Sequence, residues 1–235
     1  MRQEDPRAAL AHSAIVARLP EEIREEFVGK CRVRVYASRE RIAAIGDPVI
    51  GPTWYERGLF KVYAQDEQGE EVAAGWYWGG DIALTGCLAQ QEWQAELTAV
   101  APTAVVAIPE QTFEQFCDHS VSLCLAWLAL VAEQLRTRHR REAILHSLTL
   151  RPRLLSLLGM TADHLGTATP EGILLDFPIT HASLACGSWA SPDEVGRAMR
   201  DLERRGYLRS LPRHRLLIPD RARLDQYQRA DAEEA

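Results

Sequence analysis

The chain has 235 residues, long enough for more than one compact unit, and its 46% apolar and 26% charged residues exclude a fibrous or disordered chain. The net charge of −6 is unevenly spread: residues 1–118 carry 11 basic against 19 acidic side chains, whereas residues 180–229 carry 10 against 6. An acidic first half joined to a basic end is expected when only one end meets nucleic acid.

The first residues, MRQEDPR, lack the apolar core of a signal peptide, and the longest apolar run, 121–132, falls short of the ~20 residues of a spanning helix. A cytoplasmic protein with no membrane partner is therefore expected. From Cys31 to Phe113 the pattern is short apolar or alternating runs, CRVRVY, LFKVYA, EVAAGWYW and ELTAVAPTAVVAIP, punctuated by Gly, Pro and Asp. This predicts an antiparallel β-roll, with LFKVYAQDEQGEEVAAGW as its clearest hairpin. From Gln111 the period changes, and more than thirty residues pass without Gly or Pro, which predicts one long helix. Its apolar stripe, including Leu128, Val131 and Leu135, steps by three and four and suits pairing with a second copy; packing on the β unit is the competing reading.

A helix, RPRLLSLLGMTADHLG, opens the third regime, followed by the apolar segment ILLDFPIT and a short helix starting at Thr180. Next comes SPDEVGRAMRDLERRGYL, whose Ser191 and Glu194 form a capping box, with Pro192 at the first helical position. Val195, Met199 and Leu202 face a core, and Gly206 ends the helix. Asp193, Arg197, Arg200, Arg204 and Arg205 are left on the outer surface, suiting either solvation or an anionic polymer. The stretch 207–219 reads as a hairpin, and helix, turn, charged helix, basic hairpin is the order of a winged helix-turn-helix.

The five cysteines, Cys31, Cys87, Cys117, Cys124 and Cys186, form no C-x-x-C pair, which argues against a disulfide framework or zinc knuckle. Residues 20–110 contain no histidine, so a metal-dependent cupin is disfavoured, and no nucleophile elbow or phosphate-cradling loop occurs. No enzyme activity and no metal site are expected. A β-roll that binds a small molecule and acts through protein contacts, without DNA, is the alternative function.

The segments GLFKVYAQDEQGEEV, GWYWGGD, FPITHASLA, SPDEVGRAMRDLERRGYL and LLIPD, in this order, resemble the CRP/FNR transcription regulators over nearly the whole chain. The resemblance implies an α+β fold with three parts: a cyclic-nucleotide-binding-like jelly roll over 1–115, a dimerisation helix over 116–148 and a winged helix-turn-helix over 149–235. It implies a homodimer on a near-palindromic operator, with RNA polymerase as a further partner. Asp193 would accept from a cytosine amino group and Arg197 would donate to guanine. Thr180, His181 and Ser191 would lie near phosphates, with Arg200 on the reading helix and Arg213 and Arg215 on the wing. Each has a plainer alternative: Asp193 as a helix N-terminal charge, Arg197 as the i,i+4 partner of Asp201, the wing arginines as solvated groups. Trp189 stands where the family turn usually has glycine.

The resemblance weakens at the effector. Thr85 stands near the family's ribose-binding glutamate, and Trp93-Gln94 near its phosphate-binding Arg-Ser pair, so a cyclic phosphate would lack its counter-charge. Cyclic AMP is disfavoured, and so is an iron-sulfur cluster, since the cysteines are scattered; haem stays open, with Cys87 or His12 as nominal ligands. Trp76, Trp78, Trp93 and Trp127 with Thr85 form an inventory for an uncharged or aromatic effector, or they fill the roll. A non-cyclic-AMP effector, or none, is expected.

Overall fold

The computed structural model describes residues 2–82, 92–224, 226 and 227, and the chain forms two compact units, Met1–Phe60 with Tyr77–His139, and Lys61–Trp76 with Arg140–Ala235. The elements before the long helix are β1 (Arg2–Glu4), α1 (Pro6–Ala9), α2 (Glu21–Lys30), β2 (Arg32–Tyr36), β3 (Arg41–Ala43), β4 (Thr53–Arg57), β5 (Leu59–Gln65), β6 (Glu71–Trp78), β7 (Ala95–Ala99), β8 (Thr103–Ala107) and α3 (Glu110–His119). They are followed by α4 (Val121–Ser147), α5 (Leu150–Leu165), β9 (Thr167–Thr169), β10 (Gly172–Leu175), α6 (His181–Ser188), α7 (Pro192–Arg204), β11 (Arg209–Leu211) and β12 (Arg215–Ile218). Among the described residues these strands form three four-stranded sheets, in the orders β1-β2-β8-β4, β3-β7-β5-β6 and β11-β12-β10-β9. The class is α+β, a jelly-roll-like β part followed by helices and a winged helix-turn-helix.

Register explains the first core. Antiparallel pairing aligns Val33 with Val106 and Val106 with Trp54, so these three share one face of the first sheet. That face is covered by Phe27 of α2, Phe113 and Phe116 of α3, and Leu123, Trp127 and Leu130 of α4, all buried. Each such side chain contributes about 1.5–3 kcal/mol of burial. Trp127 meets Trp54 edge-on at 5.9 Å and Phe113 at 5.3 Å. The β5–β6 turn is set by Asp66, whose Oδ1 accepts from the Gln68 and Glu70 N–H groups, both at 2.9 Å, with Gly69 left-handed.

Two expectations about the helix need correction. It is two helices, because Ser120 is extended (φ −144°, ψ 94°) and its hydroxyl accepts from the Leu123 N–H at 3.2 Å, capping a new start. The exposed apolar stripe of α4 runs through Val121, Leu125, Leu128 and Leu135, whereas Val131 is partly buried against the core of the first unit. The 27-residue helix therefore buries one face and leaves a second apolar face open. No helix among the described residues is long and apolar enough to cross a membrane.

Candidate nucleic-acid interface

α6 and α7 each begin with a reciprocal cap. The Thr180 hydroxyl accepts from the Ser183 N–H at 3.1 Å, and the Ser183 hydroxyl accepts from the Thr180 N–H at 3.1 Å. Ser191 accepts from the Glu194 N–H at 3.3 Å, and the Glu194 carboxylate accepts from the Ser191 N–H at 2.9 Å. The Ser191 hydroxyl and then its backbone N–H hold the Glu194 carboxyl below its ordinary pKa. Pro192 occupies the first turn of α7.

Between the two helices Trp189 takes the left-handed conformation (φ 48°, ψ 46°) that a glycine would adopt more readily. Neighbours over-determine it: its ring stacks on His146 at 4.2 Å and lies 3.3 Å from the position a Cβ on Gly75 would occupy. The supporting helix α6 is buried from Ser183 to Ser188. Arg153 holds it from below, donating to the carbonyls of Ser188 (2.8 Å), Leu145 (2.9 Å) and Leu148 (2.7 Å), so one guanidinium satisfies the carbonyl ends of α6 and α4.

On α7 the apolar face, Val195, Ala198, Met199 and Leu202, is buried, and Asp193, Arg197 and Arg200 are exposed. Asp201 is occupied by Arg151 (2.9 Å), Arg204 (3.0 Å) and Arg205 (3.0 Å). Arg197 thus has no ion pair with Asp201, and neither it nor Arg200 has a hydrogen bond or ion pair among the described residues, although the Arg197 charge helps to lower the Glu194 pKa. Both line a groove of about 890 Å³ that also includes Thr149, Arg151 and Arg204. The His181 ring packs over Gly196, 3.2 Å from where its Cβ would be.

The wing divides its two arginines. Arg215 donates to Asp176 at 3.0 Å and to the Pro212 carbonyl at 3.1 Å, whereas Arg213 stands exposed in the turn between β11 and β12. Arg213 (φ 63°) and His214 (φ 60°) are both left-handed, and the His214 carbonyl accepts from the Ile179 N–H at 2.8 Å. The Arg151–Asp201 link carries no sequence signal, since its partners are fifty positions apart.

The expected effector residues have different surroundings. Trp76 belongs to the second unit, where its indole N–H donates to the Ser183 carbonyl at 2.7 Å. Trp127 is buried in the core of the first unit, Trp78 is buried, and Trp93 lines a separate cavity. Thr85 and Cys87 lie outside the described residues. Burial pushes the Cys31 thiol up to about 12, and burial with the Cys124 hydrogen bond does the same for Cys117, so both stay protonated at neutral pH. Among the described residues no group of three or more His, Cys, Asp or Glu side chains is placed to hold a metal ion.

Residues 152–227 match the Crp-like helix-turn-helix domain. The fold is similar to that of a CRP-family transcriptional regulator from Thermus thermophilus, with TM-score 0.69 and 21% identity over 83% of this chain and 96% of that one. It is also similar to a putative cyclic nucleotide binding protein from Ruegeria pomeroyi (TM-score 0.68, 19% identity, 98% and 100% covered). A third likeness is to FixK2 from Bradyrhizobium japonicum (TM-score 0.65, 18% identity, 83% and 96% covered). A search of curated proteins finds no match. Residues 152–227 thus carry a Crp-like helix-turn-helix domain, and the chain shares its fold with solved CRP-type proteins.

Proposed function

We propose that the chain is a homodimeric, sequence-specific DNA-binding transcription regulator whose α7 helices read half-sites about 34 Å apart, one turn of duplex. The observation that carries this reading is the contrast on α7: Asp201 engages Arg151, Arg204 and Arg205, while Arg197 and Arg200 project unpaired beside Asp193. Unpaired arginines on a rigid, doubly capped helix suit bidentate donation to guanine, and Asp193 suits a cytosine amino group. Thr180, His181 and Ser191 flank that face, and Arg213 adds charge for the phosphates. The role is binding rather than catalysis, in the compartment that holds DNA, with RNA polymerase as the protein it would meet at a promoter. Control is by an effector other than cyclic AMP, or by none.

Selection of random duplexes with the purified protein tests the reading. A two-fold motif is expected, and Arg197→Ala should cost about 1–3 kcal/mol at one base position and relax the choice there. An unchanged motif in Arg197→Ala would remove the base-reading role. The wing gives an independent test, because a left-handed residue other than Gly, Asn or Asp stores about 1–2 kcal/mol of steric strain. Arg213→Asn is expected to raise the unfolding temperature by ~2–4 °C per kcal/mol released, while weakening all DNA sequences alike and lowering the salt slope by ~1. Loss of stability, or a sequence-selective defect, would count against this account of the wing.

A further inference from the structure

The first unit contains a cavity of about 260 Å³ that the DNA-binding face does not use. Its position follows from register. On β2 the order Arg-Val-Arg-Val-Tyr alternates, and Val33 faces the helices, so Arg32, Arg34 and Tyr36 face the opposite way. Pairing sets Arg32 beside Ala107 and Ala107 beside Thr53, and sets Arg34 beside Val105, so all of these lie on the cavity side. Ile42, Pro48, Ile50 and Trp93 complete the wall.

An alternating Arg-Val strand is often just a sheet with one wet face. Here that face is covered in part: Arg32, Asp47, Pro48 and Ile50 stand exposed on the rim, while Tyr36, Thr53, Trp93 and Val105 are each at most 8% exposed. Arg34 is half-buried among them, and neither guanidinium has a hydrogen bond or ion pair among the described residues. The one acid in the lining is Asp47, whose Oδ2 already accepts from the Ala44 N–H at 2.7 Å. Two guanidinium groups against one carboxylate leave a net charge of about +1 facing an apolar wall.

We propose that this cavity binds a small monoanion with an apolar body, an aromatic or short aliphatic carboxylate. The Arg34 and Arg32 forks take the carboxylate, since the planar guanidinium matches its two oxygens. The ring or chain packs on Ile42, Ile50, Val105 and Trp93. Size favours the class, because about 260 Å³ lies below the ~300–1,000 Å³ of drug-sized pockets and suits a small ligand. The site lies within one unit and does not depend on the DNA-binding reading.

Titration calorimetry of the full chain with benzoate is the test, with benzamide as the uncharged probe of similar shape and phenyl phosphate as a dianion. Saturable benzoate binding is expected, at least tenfold stronger than benzamide. Arg32→Met with Arg34→Met should weaken it tenfold or more, and Arg41→Met, on β3 of the other sheet and outside the lining, should leave it unchanged. Should the double variant lose its fold by circular dichroism, Ile50→Trp fills the cavity with both arginines kept and should equally abolish binding. Absence of saturable binding, equal affinity for benzamide, or tighter binding of phenyl phosphate would each overturn the assignment. DNA binding measured on the same sample separates this outcome from failure of the regulator reading.

Discussion

Trp76→Ala is expected to destabilise the second unit by about 3–5 kcal/mol, the cost of truncating a large buried aromatic, and to lower its unfolding temperature by on the order of 10 °C. Trp76 is 4% exposed, its indole N–H donates to the Ser183 carbonyl, and a Cβ on Gly187 would approach its ring to 2.9 Å. The ring therefore lies directly against the backbone of α6. Cys186 adds to the same contact, its thiol donating to the carbonyls of Val62 (3.6 Å) and Gly75 (3.7 Å), and burial keeps that thiol protonated. Because α6 presents apolar and small residues all round, it depends on this cover. Trp76→Phe keeps most of the packing and loses the hydrogen bond, so it should cost only about 1 kcal/mol beyond its lost area. Gly187→Ala should also destabilise, since the ring must shift. Thermal unfolding followed by circular dichroism decides: if Trp76→Ala were no worse than Trp76→Phe, the packing against Gly187 would carry little.

Much of the helix-turn-helix part was legible because its signals are local. Ser191, Pro192 and Glu194 start α7 within four residues, and the buried set Val195, Met199 and Leu202 follows from helical period alone. What escaped depends on distance or on phase. Asp201 sits four residues after Arg197, which suggests an i,i+4 pair, yet Arg151 of α5 together with Arg204 and Arg205 takes the carboxylate. The break at Ser120 was announced by a good N-cap residue, but without Gly or Pro the apolar period runs straight through it. Trp189 is a case where tertiary contacts, His146 and Gly75, hold a backbone conformation that local preference disfavours. For the tryptophans, composition grouped residues with different packing tasks, while Arg32 and Arg34 became visible as a pair only through strand register.

The second large effect concerns the open face of α4. Val121, Leu125, Leu128 and Leu135 are 73%, 61%, 63% and 39% exposed, at spacings of three, four and seven, which is the seam pattern of a two-helix coiled coil. Leu123, Trp127 and Leu130 point into the core instead, so the exposed stripe is not an error of packing within the first unit. In a symmetric dimer each leucine would bury about 1.5–3 kcal/mol, and every substitution appears twice. Leu125→Glu with Leu128→Glu is therefore expected to weaken self-association at least a thousandfold, about 4 kcal/mol, because it removes four buried side chains and places four like charges on one seam. Folding of each chain should survive, as neither leucine contributes to the core. Sedimentation should then show monomers, and affinity for a two-fold operator should collapse while that for a single half-site changes little. A variant that still sediments as a dimer would locate the interface elsewhere; a monomer that still binds the full operator with wild-type affinity would show that the two α7 helices do not act together.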